Sequence, residues 1–267
     1  MRTAFQAGIL FMIGLALASA AVRAQEISVP FDQQVLQADT DRLGNFYLIT
    51  STHLFKYSPD GQLLASTEWN GKPVPEQIGP WNPLQVMIHE RGHRFRLLDP
   101  ELQTTASEHI DSSLALRPIR MTPGIFNRTL WVMDEDHSIK KIDWSQNRVL
   151  EEFKPFVSGM EPTNPIYFRA YQDHILCLDA RRGLYIVGRT GKLVRHVPVE
   201  GASTMGVLGE DLWIHLPGKI RFIDIYDKQE YSIPVPPDIR MALATDERLL
   251  LIDSGRLIFL NFRPVTD

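Results

Sequence analysis

Four short apolar runs in this chain end in aspartate. Phe95-Arg96-Leu97-Leu98 stops at Asp99, Leu130-Trp131-Val132-Met133 at Asp134, Ile175-Leu176-Cys177-Leu178 at Asp179, and Leu249-Leu250-Leu251-Ile252 at Asp253. Two further runs fill the gaps without the aspartate: Phe46-Tyr47-Leu48-Ile49, and Leu212-Trp213-Ile214-His215. The interval from one run to the next is roughly 35 to 49 residues, the length of one four-stranded propeller blade. A repeat of that period sets the fold class before any catalytic motif is weighed.

Between these runs the chain alternates apolar and polar residues over four to seven positions, which is the strand signature, and no segment combines sustained helical periodicity with good caps. Asn45-Phe46-Tyr47-Leu48-Ile49 and His53-Leu54-Phe55-Lys56-Tyr57 read as two strands. Ser58-Pro59-Asp60-Gly61 reads as a turn and Gln62-Leu63-Leu64-Ala65 as a third strand, proline fixing φ at the turn and Asp-Gly tolerating the bend. The same order recurs around Arg189-Thr190-Gly191-Lys192 and around Tyr226-Asp227-Lys228. Upstream of the runs, Asn82-Pro83-Leu84, Arg117-Pro118-Ile119 and Asn164-Pro165-Ile166 read as the starts of first strands, where proline costs no ladder bond.

Six four-stranded units follow, with fourth strands ending near Thr67, Ser113, Val157, Val199 and Val235. The last unit stops after Arg256 to Phe262, leaving too little chain for a fourth strand. Glu26 to Phe31 supplies that strand. The expected fold is therefore all-β, a six-bladed β-propeller closed by an N-terminal strand that removes an open sheet edge.

The first residues read differently. Arg2 precedes an apolar stretch from about Ala7 to Ala21, and Val22-Arg23-Ala24 fits a signal-peptidase site before Gln25, with Ala18-Ser19-Ala20 as a second choice. The expected organisation is a signal peptide over 1–24 and one propeller domain over 25–267, exported to the periplasm or secreted, with no transmembrane span in the mature chain. The single cysteine, Cys177, lies inside an apolar run, which excludes a disulfide framework and reads as a buried, inert thiol. A net charge of -4 without a basic cluster argues against nucleic acid as a partner.

The chain resembles the extracytoplasmic six-bladed propellers of the NHL and YWTD type. The likeness rests on the aspartate-ended runs and on Leu43-Gly44-Asn45-Phe46-Tyr47 and Tyr57-Ser58-Pro59-Asp60-Gly61. It implies a structural role between blades for Asp99, Asp134, Asp179 and Asp253. The first and fifth units lack the aspartate, so a complete ring of carboxylates is not available.

His89-Glu90-Arg91-Gly92-His93 is a formal H-E-x-x-H, with Asp99 placed where some zinc proteases carry a third ligand. That chemistry needs both histidines on one helical face and the glutamate as general base. Aligning Leu84-Gln85 with Leu36-Gln37 instead makes His89 to Gly92 the turn between the first and second strands of a blade. In extended chain the two histidines do not share a metal, and the protease reading is set aside. No G-x-S-x-G elbow, P-loop or dinucleotide fingerprint is present. A calcium-dependent lactonase-like hydrolase on the same architecture stays open as the alternative, with Asn82, Glu161, Asn164 and Asp238 as its nearest oxygen donors.

Of the five tryptophans, Trp131 and Trp213 fall inside second-strand runs and read as core, while Trp69 and Trp81 flank the Pro-rich Asn70 to Pro75 connection and suit either a contact patch or packing. The preferred reading is a non-catalytic binding or scaffold module, without a cofactor, that engages a protein partner or small ligand of the cell envelope at the channel mouth. Asn82, Arg117, Asn164 and Arg240, placed where first strands enter the channel, are the expected contact residues, the two arginines suiting a carboxylate.

Overall fold

The computed structural model describes residues 26–124, 128–227 and 229–263. Residues 1–24, expected from the sequence to be a signal peptide, and Gln25 lie outside the described residues. After β1 (Ile27–Pro30), the first blade holds β2 (Val35–Thr40), β3 (Phe46–Thr50), β4 (His53–Tyr57) and β5 (Leu63–Glu68). The second holds β6 (Gln77–Gly79), β7 (Val86–Arg91), β8 (Arg94–Leu98) and β9 (Thr104–His109). The third holds β10 (Pro118–Pro123), β11 (Thr129–Asp134), β12 (Ile139–Asp143) and β13 (Arg148–Phe153). In the fourth are β14 (Pro165–Tyr171), β15 (His174–Asp179), β16 (Gly183–Gly188) and β17 (Leu193–Val197). The fifth comprises β18 (Thr204–Leu208), β19 (Asp211–Leu216), β20 (Lys219–Asp224) and β21 (Glu230–Pro234). The sixth is β22 (Met241–Ala244), β23 (Arg248–Ile252) and β24 (Arg256–Asn261), completed by β1 in the order β1-β24-β23-β22. Ile27 stands opposite Phe259 and Val29 opposite Leu257, and Phe31 then packs edge-on against Phe55 of the first blade. The ring is closed by the N-terminal strand.

Burial follows position within the blade. Second strands such as β3 and β11 are buried throughout, because other blades cover both their faces, whereas the outer strands β5, β9, β13 and β21 alternate between covered and exposed residues. The core is distributed between blades. Met87 and Phe95 of the second blade meet Met121, Leu130 and Val132 of the third, and Leu176 and Leu178 of the fourth meet Met205 and Leu212 of the fifth. Trp131 and Trp213 are buried, Trp213 against the bare backbone of Gly206, where a Cβ would run into the indole. Cys177 is buried without a disulfide, and desolvation raises its thiol pKa.

Because each blade is an antiparallel meander, its loops sort to two ends. Connections into first strands share one end with the hairpins between second and third strands. Loops between first and second strands share the other with the hairpins between third and fourth. Asp134 fastens the first end: its carboxylate accepts from Leu116 N and Arg117 N at 2.7 Å each, from Glu135 N at 3.0 Å and from Lys140 Nζ at 2.9 Å. Asp179 does the same one blade later, accepting from Thr163 N, Asn164 N, Arg181 N and Arg182 N. In the first blade Thr50 takes this place, its hydroxyl accepting from His53 N at 3.0 Å and donating to Gln33 Oε1 at 2.8 Å. The fifth blade uses His215 Nδ1 and Ser203 Oγ, 2.6 Å apart.

The second blade departs from the sequence register. Phe95 to Leu98 is its third strand, not its second, and Asp99 caps the following hairpin through Glu101 N and Gln103 N. It therefore groups with Asp143 and Asp224, which cap the equivalent hairpins, and not with Asp134 and Asp179. Asp253 caps its own hairpin through Gly255 N and Arg256 N. The true first strand, β6, is three residues long and starts at Gln77, so Asn82-Pro83 lies in the loop after it.

Candidate functional site at the channel

The register shift decides the fate of the H-E-x-x-H segment. His89 lies in β7, not in a turn, and is fully buried, with Nε2 donating to Gly92 O at 2.9 Å. Burial, reinforced by the nearby Arg120 charge, pushes its pKa down to about 4. His93 instead pairs through Nε2 with Ala115 O at 2.8 Å, and Glu90 is held by Arg96 Nε at 2.6 Å. The three side chains of the motif thus face three different partners. Among the described residues no group of three or more His, Cys, Asp or Glu side chains is placed to hold a metal ion.

The four expected contact residues do not share a mouth. Arg117, Asn164 and Arg240 precede the first strands β10, β14 and β22 and lie at the end fastened by Asp134 and Asp179. Asn82, between β6 and β7, lies at the opposite end. Arg117 is exposed and paired with Glu135 at 3.0 Å, while the backbone N of Asn164 is one of the donors to Asp179. Glu161 accepts from Gly159 N at 2.7 Å. The oxygen donors considered for a lactonase are divided in the same way, Asn82 standing apart from Glu161 and Asn164.

Charged residues on the inner strands form the centre of the channel. Arg169 of β14 reaches across the ring to Asp39 of β2, Nη2 to Oδ2 at 2.5 Å, both side chains almost wholly buried. The guanidinium also stands over the rings of Trp81 and Tyr167, 5.3 and 5.2 Å from their centroids. Burial outweighs the attraction of Arg169 and lifts the Asp39 pKa to about 6. Gln77 of β6 donates through Nε2 to Phe168 O at 2.6 Å, a second strut across the same level.

This septum separates two cavities. At the Asp134 end, about 200 Å³ is lined by Gln37, Asp39, Gln77, Arg120, Tyr167 and Thr204, among others. At the other end, about 380 Å³ opens between blades two, three and four. Its floor includes Arg169, its wall Met87, Leu97, Leu130 and Trp144, and its rim Trp81, Asn82 and Tyr171. Trp81 meets Tyr171 edge-on at 5.6 Å and stays 37% exposed, whereas Trp69 is buried and donates through Nε1 to Thr50 O at 3.1 Å. Of the two tryptophans flanking the Pro-rich connection, one belongs to packing and the other to a mouth. Leu43, Leu84 and Tyr226 are further exposed apolar side chains on loops of this end.

Asp39, Arg120 and Arg169 carried a signal in the sequence that a strand-by-strand reading passes over: each is a charged residue inside a first strand. Such a position, next to the propeller axis, is where a charge finds either a partner across the ring or a ligand.

No family model matches the chain, and no curated protein matches it in sequence. Solved structures share the architecture. A selenomethionine-substituted virginiamycin B lyase from Staphylococcus aureus is 12% identical and aligns over 89% of this chain and 99% of its own, with TM-score 0.59. A streptogramin B lyase is 15% identical over 86% of this chain and 80% of its own, with TM-score 0.53. BBS1N, solved in complex with ARL6DN, is 13% identical over 87% and 79%, with TM-score 0.53. At these identities the likeness is one of fold, and fold alone does not name a ligand.

Proposed function

We propose that the chain is an exported, non-catalytic binding propeller that receives its ligand at the Trp81 end of the channel. One observation carries this reading: the 380 Å³ cavity combines an apolar wall, the exposed Trp81 and half-buried Tyr171 at its rim and a buried guanidinium at its floor. That volume lies within the range of small-molecule sites, and exposed aromatics over an apolar wall are the usual anchors of recognition. Of the groups able to move protons, Asp39 is committed to Arg169, Glu90 to Arg96 and His89 to Gly92 O. Export rests on the Arg2 and Ala7 to Ala24 segment, and the ligand belongs with the small molecules or short polypeptide segments of that compartment.

Ligand-observed NMR of the full chain against a library of small molecules tests the reading. Compounds should bind without being converted. Their signal should vanish in Trp81→Ala and persist in the double variant Arg117→Gln/Arg240→Gln. Conversion of a hit into product, or hits that depend on Arg117 and Arg240 and ignore Trp81, would overturn it.

A further inference from the structure

Taking the Trp81 cavity as a binding site, we infer that its ligand is a small carboxylate with an aromatic or aliphatic body. Three arginines line this cavity, Arg42 and Arg128 at the exposed rim and Arg169 at the floor, and its described lining residues include no aspartate or glutamate. The arginines are not equivalent. Arg169 is 3% exposed, and its Nη2 is spent on Asp39, yet Nη1 has no hydrogen-bond partner among the described residues. A buried guanidinium nitrogen left unpaired is costly, and a carboxylate oxygen is the acceptor that satisfies it best.

The remaining surface selects the rest of the molecule. Met87, Leu97 and Leu130 reward an apolar body, and the Trp81 indole already stands over the Arg169 guanidinium, so a bound anion would be held beside an aromatic face. Across Trp81 the surface changes sign. A neighbouring hollow of about 300 Å³ is lined by Asp41, Asp246 and Glu247, with Arg42 and Trp81 on the boundary between the two. Asp41 is occupied locally, accepting from Asn45 N at 3.0 Å and from Tyr47 Oη at 3.0 Å, but Asp246 and Glu247 set an acidic border. An anionic group is therefore drawn to the Arg169 side of the tryptophan and turned away from the other.

Calorimetric titration of the full chain with 3-phenylpropionate, 3-phenylpropan-1-ol and 3-phenylpropylamine separates charge from body. The acid should bind about tenfold more tightly than the alcohol, the difference expected of a charge-assisted hydrogen bond in a covered site. The amine should be the weakest. Arg42→Gln/Arg128→Gln, which changes only exposed side chains, should weaken the acid by about threefold while leaving the alcohol unchanged. Arg169→Lys keeps the charge opposite Asp39 but shortens the reach, and should remove most of the acid's advantage. Equal affinity for acid and alcohol, tighter binding of the amine, or no binding of the acid would each overturn the carboxylate assignment. The broader binding reading falls separately, if no library compound gives a Trp81-dependent signal.

Discussion

Asp39 and Arg169 meet at 2.5 Å from blades on opposite sides of the ring, and their ion pair is the septum between the two halves of the channel. Both are buried, so desolvation offsets much of the attraction, and the pair is better understood as fixing which strands face each other than as a source of stability. Removing one partner alone is a different matter. Asp39→Ala should destabilise the chain by about 3–5 kcal/mol, because it strands a buried guanidinium. Replacing both, as Asp39→Leu/Arg169→Met, should recover most of that loss. Urea unfolding of the two variants checks this, and equal losses in both would show that the pair contributes net stability.

A second expectation concerns closure. Deleting residues 26–31 removes β1 and Phe31, leaving β24 as a bare edge. The loss of Phe31 packing alone is worth about 3 kcal/mol, and the open edge adds a tendency to associate. Thermal melts and light scattering of the truncated chain should report a clearly lower midpoint together with aggregation. An unchanged midpoint would mean that the ring does not depend on this strand.

The aspartates separate by position. Asp179→Ala leaves four backbone donors without their acceptor at the blade junction and should cost about 3 kcal/mol. Asp99→Ala loses an exposed hairpin cap with two such bonds and should cost about 1 kcal/mol or less. Similar losses in both, measured by urea midpoints, would contradict the distinction between junction and hairpin.

These two aspartates also show what the sequence does and does not expose. The repeat of apolar runs is enough to count blades, because a second strand covered on both faces must be apolar throughout, as Leu130 to Met133 and Ile175 to Leu178 are. It is also enough to place the closing strand. The second blade misleads because its third strand, Phe95 to Leu98, is as apolar as a second strand and ends in Asp99. Its first strand, Gln77-Ile78-Gly79, is too short to alternate visibly, and Asn82-Pro83 mimics the Arg117-Pro118 and Asn164-Pro165 starts. The candidate site was less legible for a related reason. Trp81, Tyr171, Arg128 and Arg169 come from three blades, and no local spacing encodes that they surround one cavity.

Acid sensitivity should follow from His89. Its pKa in the folded chain, about 4, lies below the ordinary 6.5, so the unfolded chain takes up the proton first. Its contribution is fully present above about pH 6.5 and is lost as pH falls toward about 4, with a slope of at most about 1.4 kcal/mol per pH unit. Asp39 works in the opposite sense. Because its folded pKa of about 6 lies above the ordinary 3.8, it lowers stability as pH rises through that interval. His89→Gln keeps a donor for Gly92 O and should reduce the stability lost between about pH 7 and about pH 5 by about 2 kcal/mol. Urea midpoints of both proteins at the two pH values decide it; parallel losses would show that His89 does not carry the effect.

The most direct test of the binding face is a hydrogen-exchange footprint. The full chain is compared alone and saturated with the strongest compound from the library, peptide by peptide around the ring. Slower exchange over 79–87 and 169–173, the loops and strand ends around Trp81 and Arg169, is the expected result. Protection confined to 113–118 and 236–241, around Arg117 and Arg240, would place recognition at the opposite end of the channel and contradict the assignment.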